Sequence, residues 1–507
     1  VMIMKEQELD NKRWLILTSV MLAFLPVVID MTVLHVAIPS LTQSLGAANN
    51  EVLWIIDIYP LLMAGLLVPM GTLADRIGNR RIMLLGLFIF SVASILAAFS
   101  PTASWLIASR SLLAVGGAMI IPCVLGTIRR TFVCEKERAM ALGIWSSVGA
   151  FGAAFGPLFG GLLLDHFWWG SVFLINVPVM LLVWPVCYFL IAKDGARKLG
   201  HWPVGQAIIF IIGTISIVYA IKVGVWNDQD PAQTYGIFFV GLLLLIAFTM
   251  KQIKSKDPLL DISLFKHPAI LAGIIMALIA SGAIAGVEMV LAQELQYVLG
   301  MTPLMAGIFM VPIMGGAAFG GPVAGFLSNK FGLRNIAFIA LIACGICLAY
   351  ISSVDLQIFS ILIPIAFAII GITLSISLTA SSIAIMGSVE PENASAAGAL
   401  EGTGYELGAG LGITFFGVLM GMLFSGEMII PNGVEEALGL QAQRSIGDTF
   451  IVANQLQGDQ MNALIDAGKV AYKLAHSKIL LAASFMIMAM AVIVYFLLAS
   501  YKPKTNS

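Results

Sequence analysis

The chain reads as a succession of apolar runs separated by short polar turns. The runs lie at about 14–38, 52–74, 81–99, 104–125, 140–163, 170–191, 205–224, 235–253, 269–298, 304–328, 335–353, 357–386, 397–425 and 478–500. Most hold roughly 17–25 residues, enough to cross the hydrocarbon of a bilayer as a helix. Fourteen spans, an even number, put the two ends of the chain on one side. The first run is too long for the apolar region of a signal peptide, so it predicts a retained helix. The segment at about 426–477 is polar and predicts one or two short surface helices, not a separate domain.

Charge supports the span count. With the N-terminus inside, the inner segments carry 21 of the 27 Lys and Arg residues. Arg110 lies within a span, Lys222 near an outer edge, and Arg444, Lys469, Lys473 and Lys478 in or at the end of the long outer loop. Long loops escape the positive-inside rule, and the short outer loops hold none of the others. One missed helix would invert every later loop.

A repeat runs through the chain. Leu62-Met-Ala-Gly65-Leu-Leu-Val-Pro69 resembles Leu304-Met-Ala-Gly307-Ile-Phe-Met-Val-Pro312. Gly71-Thr-Leu-Ala-Asp75-Arg76-Ile-Gly78-Asn-Arg80 resembles Gly325-Phe-Leu-Ser-Asn329-Lys330-Phe-Gly332-Leu-Arg334. The expected organisation is therefore a six-helix half at 14–191, two inserted helices at 205–253, and a second six-helix half at 269–500 that includes the outer loop 426–477. Paired halves with a site between them are a transporter architecture. The linker at about 254–268 enters the second copy.

Composition agrees. Hydrophobic residues make up 59% of the chain and charged residues 11%, against about 25% charged in soluble domains. The net charge of −1 says nothing about nucleic acid, but no basic cluster is interleaved with aromatics, so that class of partner drops out. The five cysteines fall in or beside apolar runs, which predicts no disulfide. Cys344 and Cys347, three apart, have no His or acidic neighbour to complete a metal site. There are five histidines, none paired at ligand spacing, and no nucleophile motif, so a membrane enzyme is not the reading.

Against this background the acidic residues stand out. Asp30, Asp57, Glu288, Glu294, Glu401 and Glu406 sit inside or at the rim of apolar runs. A bare carboxylate in hydrocarbon is costly, so such groups usually face a polar cavity and carry a function. Asp30 has no sequence-local basic partner. A low-dielectric site suits a carboxyl that must gain and lose a proton near neutral pH. Glu401 and Glu406 are five apart, about 140° around a helix, so they cannot face one point. Glu406, beside Tyr405, is the stronger candidate of the two. Glu288 lies deep in its span, whereas Glu294 is nearer the exterior and suits a capping role. Asp57 suits a helix N-terminus or a cavity wall equally. His35, about a turn past Asp30, is at least as well explained by packing as by a relay. A lone arginine within a span, Arg110, needs carbonyl or carboxylate partners, which favours coupling. Trp54, Tyr59, Trp145, Phe151, Phe155 and Tyr405 are candidates to stack on flat cations.

Several motifs resemble one family. Gly71 to Arg81 resembles the loop 2–3 signature of the major facilitator superfamily, with Asn79 where a basic residue is usual. Arg110 with Ala114-Val-Gly-Gly117-Ala resembles its fourth-helix arginine motif, with Ala114 in place of Gly. Gly152-x-x-x-Gly156-Pro157-x-x-Gly160-Gly161 resembles the antiporter signature. Trp54-Ile-Ile-Asp57-Ile-Tyr59 and Phe173-Leu-Ile-Asn176-Val-Pro178 resemble the fourteen-helix drug:proton antiporter branch. The resemblance covers the whole chain and is greatest to methyl viologen and quaternary ammonium efflux pumps.

What the resemblance implies is an all-α membrane protein with 14 transmembrane helices, a proton-coupled exporter of lipophilic mono- and divalent organic cations. Asp30, Glu406 and Arg110 would couple protons. Glu288, Asp57, Glu401, Tyr59, Trp54 and Tyr405 would bind substrate. Gly71, Asp75, Arg76, Gly78 and Arg80 would form the cytoplasmic gate. Related staphylococcal pumps carry an Asp in the tenth span, where this chain has the neutral run Gly315-Gly-Ala-Ala318, and Glu288 can take over that charge. No cofactor is implied beyond the proton gradient. The partners are small organic cations, protons and lipid, with a monomer in the inner membrane of a bacterium and both termini cytoplasmic. Export of another small organic solute or metabolite is the alternative.

Overall fold

A computed structural model describes residues 2–47, 49–193, 201–226, 231–255, 258–301, 303–358 and 360–501. Among the described residues the secondary structure is helical, without a strand. The first half comprises α1 (Met2–Leu45), α2 (Asn49–Ile77), α3 (Asn79–Ala98), α4 (Ala103–Thr131), α5 (Glu135–His166), the single turn α6 (Ser171–Leu174) and α7 (Asn176–Leu190). Pro178 lacks the amide that would bond the Leu174 carbonyl, consistent with the break between α6 and α7. The inserted pair is α8 (Val204–Trp226) and α9 (Pro231–Lys254). The second half comprises α10 (Pro268–Gln293), α11 (Pro303–Phe331), α12 (Leu333–Ser353), α13 (Leu362–Ser388), α14 (Ala394–Glu427), α15 (Glu436–Ala442), α16 (Ile446–Ala453) and α17 (Asp459–Leu497).

Among the described residues, thirteen helical stretches are long and apolar enough to cross a membrane. The 32-residue α5 is the fourteenth long element, with α6 and α7 together counted as one crossing. The fold is that of two six-helix halves with an inserted pair. The loop between α14 and α17 holds two short helices, α15 and α16. The last span differs from its apolar run: the helix begins at Asp459, well before residue 478. Its early turns bury Leu464, Gly468, Ala471, Tyr472 and Ala475 on one face, which is helical spacing. On other faces Lys473 pairs with Asp355 and Lys478 with Glu427. Hydropathy marks where a helix enters lipid, whereas helical hydrogen bonding continues wherever a face can pack. Lys473 also holds the half-buried Asp355 carboxyl below its ordinary value. The α12–α13 loop is thus tied down at neutral pH, and the tie is lost only as pH falls through that lowered value.

The halves meet along two seams, α5 with α11 and α2 with α14. The cross-half hydrogen bonds among the described residues gather toward the end that carries the basic loops. Asp75 accepts from the backbone amides of Ser395 (3.0 Å) and Ala396 (2.7 Å), at the N-terminus of α14. Arg130 donates to Asp75 at 2.8 Å and to the Pro391 carbonyl at 3.3 Å. Arg129 donates to the Val389 carbonyl at 2.9 Å. A carboxylate against two free amides and a guanidinium is a charge-assisted latch on a helix N-terminus. On the other seam Asn329 donates to the Lys136 carbonyl at 3.2 Å, and Ser147 to that of Ala318.

Glycine makes these seams possible. A Cβ at Gly71 would lie 2.6 Å from the Ser395 carbonyl oxygen, and one at Gly143 would strike the Gly321 carbonyl. Gly78 and Gly332 are equivalent in the repeat, and both turn the chain with positive φ, 123° and 83°. Gly71→Val is therefore expected to hold the basic ends of α2 and α14 apart and abolish transport in a protein that still inserts. Spin labels on those two helix ends should show a longer distance than in the wild type. An unchanged distance with full transport would mean the seam tolerates a side chain.

α8 packs on α9 and α2. At its base Trp202 donates to the Thr72 hydroxyl at 3.2 Å, and Arg76 donates to the carbonyls of His201 and of Pro258, the latter at 2.9 Å. Residues 256–257 of the expected linker lie outside the described residues, as do Arg197, Lys198, Lys502, Lys504 and the Lys222 side chain.

Candidate functional site

Between the halves lies a cavity of about 370 Å³. Its walls come from α1, α4, α5, α10, α11, α13 and α14, and no residue of α8 or α9 lines it. Two carboxylates face it, Glu288 from α10 and Glu406 from α14. Among the described residues Glu288 has no hydrogen-bond or ion-pair partner, so its oxygens are left to what occupies the cavity. Aromatic rings supply one wall. Trp145 packs at 5.6 Å from Phe24 and at 6.0 Å, edge to face, from Tyr405 across the gap between the halves. Met31 and Met314 add soft, adaptable surface. The result is an apolar, aromatic chamber with two acidic groups, which suits a lipophilic cation.

Asp30 is not in that chamber. It is fully buried inside the first half, where Asn176 donates to its Oδ1 at 3.3 Å and Arg110 Nη1 lies 3.7 Å from its Oδ2. Tyr59 lies in the same cluster, its ring 5.3 Å from the Arg110 guanidinium. Arg110 Nε and Nη1, Asp30 Oδ2 and the Tyr59 hydroxyl all lack a hydrogen bond among the described residues. The cluster is thus a buried charge pair that is only loosely satisfied. Such a pair is costly to keep buried, because each charge is held mainly by the other.

The glycines of the Gly152–Gly161 stretch seat the wall that joins the two sites. A Cβ at Gly152 would press on Val28 of α1 at 3.1 Å, and one at Gly156 would strike the Thr32 hydroxyl. They bring α5 against the stretch of α1 that bears Asp30 on one side and cavity residues on the other. Around Gly161 there is open space, so close packing does not account for it. Gly160 is buried, and the Pro157 side chain lies outside the described residues.

A model of the Major Facilitator Superfamily matches residues 20–413. The chain belongs to the major facilitator superfamily. Membership makes it a multi-pass membrane transporter of small molecules. It is 44% identical over 493 residues to the methyl viologen resistance protein SmvA of Salmonella typhimurium, covering 96% of this chain and 99% of that protein. It is 31% identical to the multidrug efflux pump LfrA of Mycolicibacterium smegmatis, covering 96% of each. The human organic anion transporter MFSD10 shares its fold, with a TM-score of 0.60 at 15% identity over 94% of this chain and 99% of that one.

Other residues singled out in the sequence sit elsewhere in the superfamily fold. Trp54 stacks on Tyr219 of α8 at 5.6 Å and so faces the inserted pair, not the cavity. Tyr59 is buried against Arg110 and does not line the cavity either. Phe151 and Phe155 stack on each other at 4.0 Å and are exposed. Glu401 is fully buried beside the cavity wall and accepts a hydrogen bond from Ser382. Glu294 does not cap an exposed end. It is buried, and its carboxylate meets His476 of α17 within the second half. Arg80 lies 4.4 Å over the Tyr188 ring of α7, a contact within one half. The side chains of Asp57 and His35 lie outside the described residues.

Two participants escaped the sequence reading. Asn176 was visible only as part of a motif, although an amide inside an apolar run is itself a sign of a buried polar partner. Phe24 carries no distinguishing signal, because one phenylalanine in a span looks like any other.

Proposed function

We propose that this protein is a proton-coupled drug efflux antiporter that exports lipophilic mono- and divalent organic cations. Quaternary ammonium compounds, methyl viologen, cationic dyes and biguanide antiseptics are the expected substrates. The observation that carries the reading is a cavity between the halves with two carboxylates and an aromatic wall, next to a separate buried carboxylate–arginine pair. Similarity to a methyl viologen resistance protein and to a multidrug efflux pump supports it.

In this reading the basic end is cytoplasmic, the membrane is the bacterial inner membrane, and the monomer works without a cofactor. The latch at Asp75 closes the cavity to the cytoplasm. A proton reaching Asp30 removes the charge that holds Arg110, and the freed guanidinium must find new partners in Tyr59 and nearby carbonyls. That rearrangement offers a way to shift α1 and α4, and with them α5 and the seams. Glu288 and Glu406 exchange protons for the cation they receive.

Competition for the same carboxylates makes a direct test. Adding mono- and divalent lipophilic cations to weakly buffered, purified protein is expected to release protons, with methyl viologen releasing more than a monocation. Cation binding without any proton release would overturn the antiport reading.

A further inference from the structure

The cavity contains more than the proposed cation chemistry requires. Trp145 is 6% exposed and lines the cavity, yet its Nε1–H has no oxygen or nitrogen acceptor among the described residues. Ser375, on α13 in the other half, is 3% exposed, lines the same cavity, and its hydroxyl is also without a partner. On α13, Thr373, Thr379 and Ser388 turn back to a carbonyl of their own helix at 2.7, 2.9 and 2.7 Å, while Ser377, outside the cavity lining, shares with Ser375 the lack of a partner. A buried donor without an acceptor costs free energy, so donors kept in a binding chamber are normally matched by what binds there.

A quaternary ammonium group offers neither donor nor acceptor. Glu288 and Glu406 can neutralise its charge, and the rings of Phe24, Trp145 and Tyr405 can stack on its apolar part. None of this would use the indole N–H or the serine hydroxyl. Both donor atoms are covered in this state, and a small turn of either side chain would offer it to a ligand that carries an oxygen or nitrogen lone pair beside its cationic centre.

Resting on the cation-export reading above, we propose that the cavity prefers organic cations that also carry a hydrogen-bond acceptor, with Trp145 Nε1–H and the Ser375 hydroxyl as the donors that receive it. The two donors come from opposite halves. An acceptor held by both would tie the halves together across the cavity and position the positive centre toward the carboxylates. Cationic esters, ethers and amides fall in the preferred class, and plain alkylammonium ions do not.

A matched pair of ligands tests this. Hexanoylcholine and nonyltrimethylammonium have the same head group and chains of equal length, and only the first carries an ester. Calorimetric affinities for both are measured on the full-length wild type and on Trp145→Phe and Ser375→Ala. Trp145→Phe keeps a ring in place and removes the N–H. Each variant is expected to lose about three- to tenfold more affinity for hexanoylcholine than for nonyltrimethylammonium, the worth of one net hydrogen bond. Equal changes for the two ligands, or no change for either, would overturn the acceptor preference and leave cation export standing. Failure of the wild type to bind either ligand would sink both readings. Because the readout is a difference between ligands on one variant, a general loss of folding cannot imitate the expected result.

Discussion

Asp30→Asn is expected to abolish proton-driven efflux while the protein still binds its substrates. The substitution keeps the shape of the side chain and its hydrogen bond from Asn176, but it removes the group that can carry the proton. It also leaves the guanidinium of Arg110 buried without its carboxylate. Breaking a buried pair from one side costs about 3–5 kcal/mol in soluble proteins. Thermal stability should therefore fall, and the decisive measurement must separate coupling from folding. Everted vesicles report proton-driven efflux, and proteoliposomes loaded with substrate report substrate-for-substrate exchange, which needs no net proton movement. The expected outcome is efflux at background with exchange retained. Wild-type efflux in Asp30→Asn would move the coupling site to Glu288 or Glu406, the two acids in the cavity itself.

Glu406→Gln is expected to reduce export of dications more than that of monocations. The reason is charge balance. Export of a dication against one proton moves net positive charge outward, and an inside-negative potential opposes this by about 2.3 kcal/mol per charge per 100 mV. Two protons, taken up by two titrating carboxylates, remove that cost. Glu288 and Glu406 face one cavity from α10 and α14, so the loss of either leaves a dication with one counter-charge. At about 4 Å and an effective dielectric near 20, one such contact amounts to about 4 kcal/mol before desolvation. A tenfold or greater loss of methyl viologen affinity is expected, with a smaller loss for ethidium. Glu288→Gln should behave likewise, because its carboxylate faces the same space. An equal loss for both drugs in Glu406→Gln, at unchanged protein level, would assign Glu406 to the common coupling machinery. Glu288 would then remain as the second cation contact.

The two variants separate functions that look alike along the chain. Asp30, Glu288, Glu401 and Glu406 are all acids in apolar runs, and hydropathy treats them identically. Three-dimensional packing sorts them. Asp30 pairs with Arg110 from α4, eighty positions away, and is sealed from the cavity. Glu401 and Glu406 lie on different faces of α14, as the turn of the helix demands, and only Glu406 faces the cavity. Trp54 and Tyr59 have aromatic character suited to cation binding, but each spends it on a protein partner, Tyr219 and Arg110.

The architecture was legible because the bilayer imposes it locally. A span must satisfy its own backbone hydrogen bonds and present some twenty apolar residues to lipid, so each helix announces itself in the run of side chains. The basic loops and the repeat centred on Gly71 and Gly325 then orient and pair the halves. Acids in hydrocarbon are costly enough that their presence alone marks a functional interior. The neighbours of those acids were not legible. Whether Asp30 meets Arg110 or water, whether Trp145 faces Tyr405 or lipid, and where α17 begins all depend on contacts between helices distant in sequence. Such contacts follow from how close two backbones approach, set at positions such as Gly71, Gly143 and Gly156 by what a side chain would strike across the seam, and that distance is a property of the folded bundle.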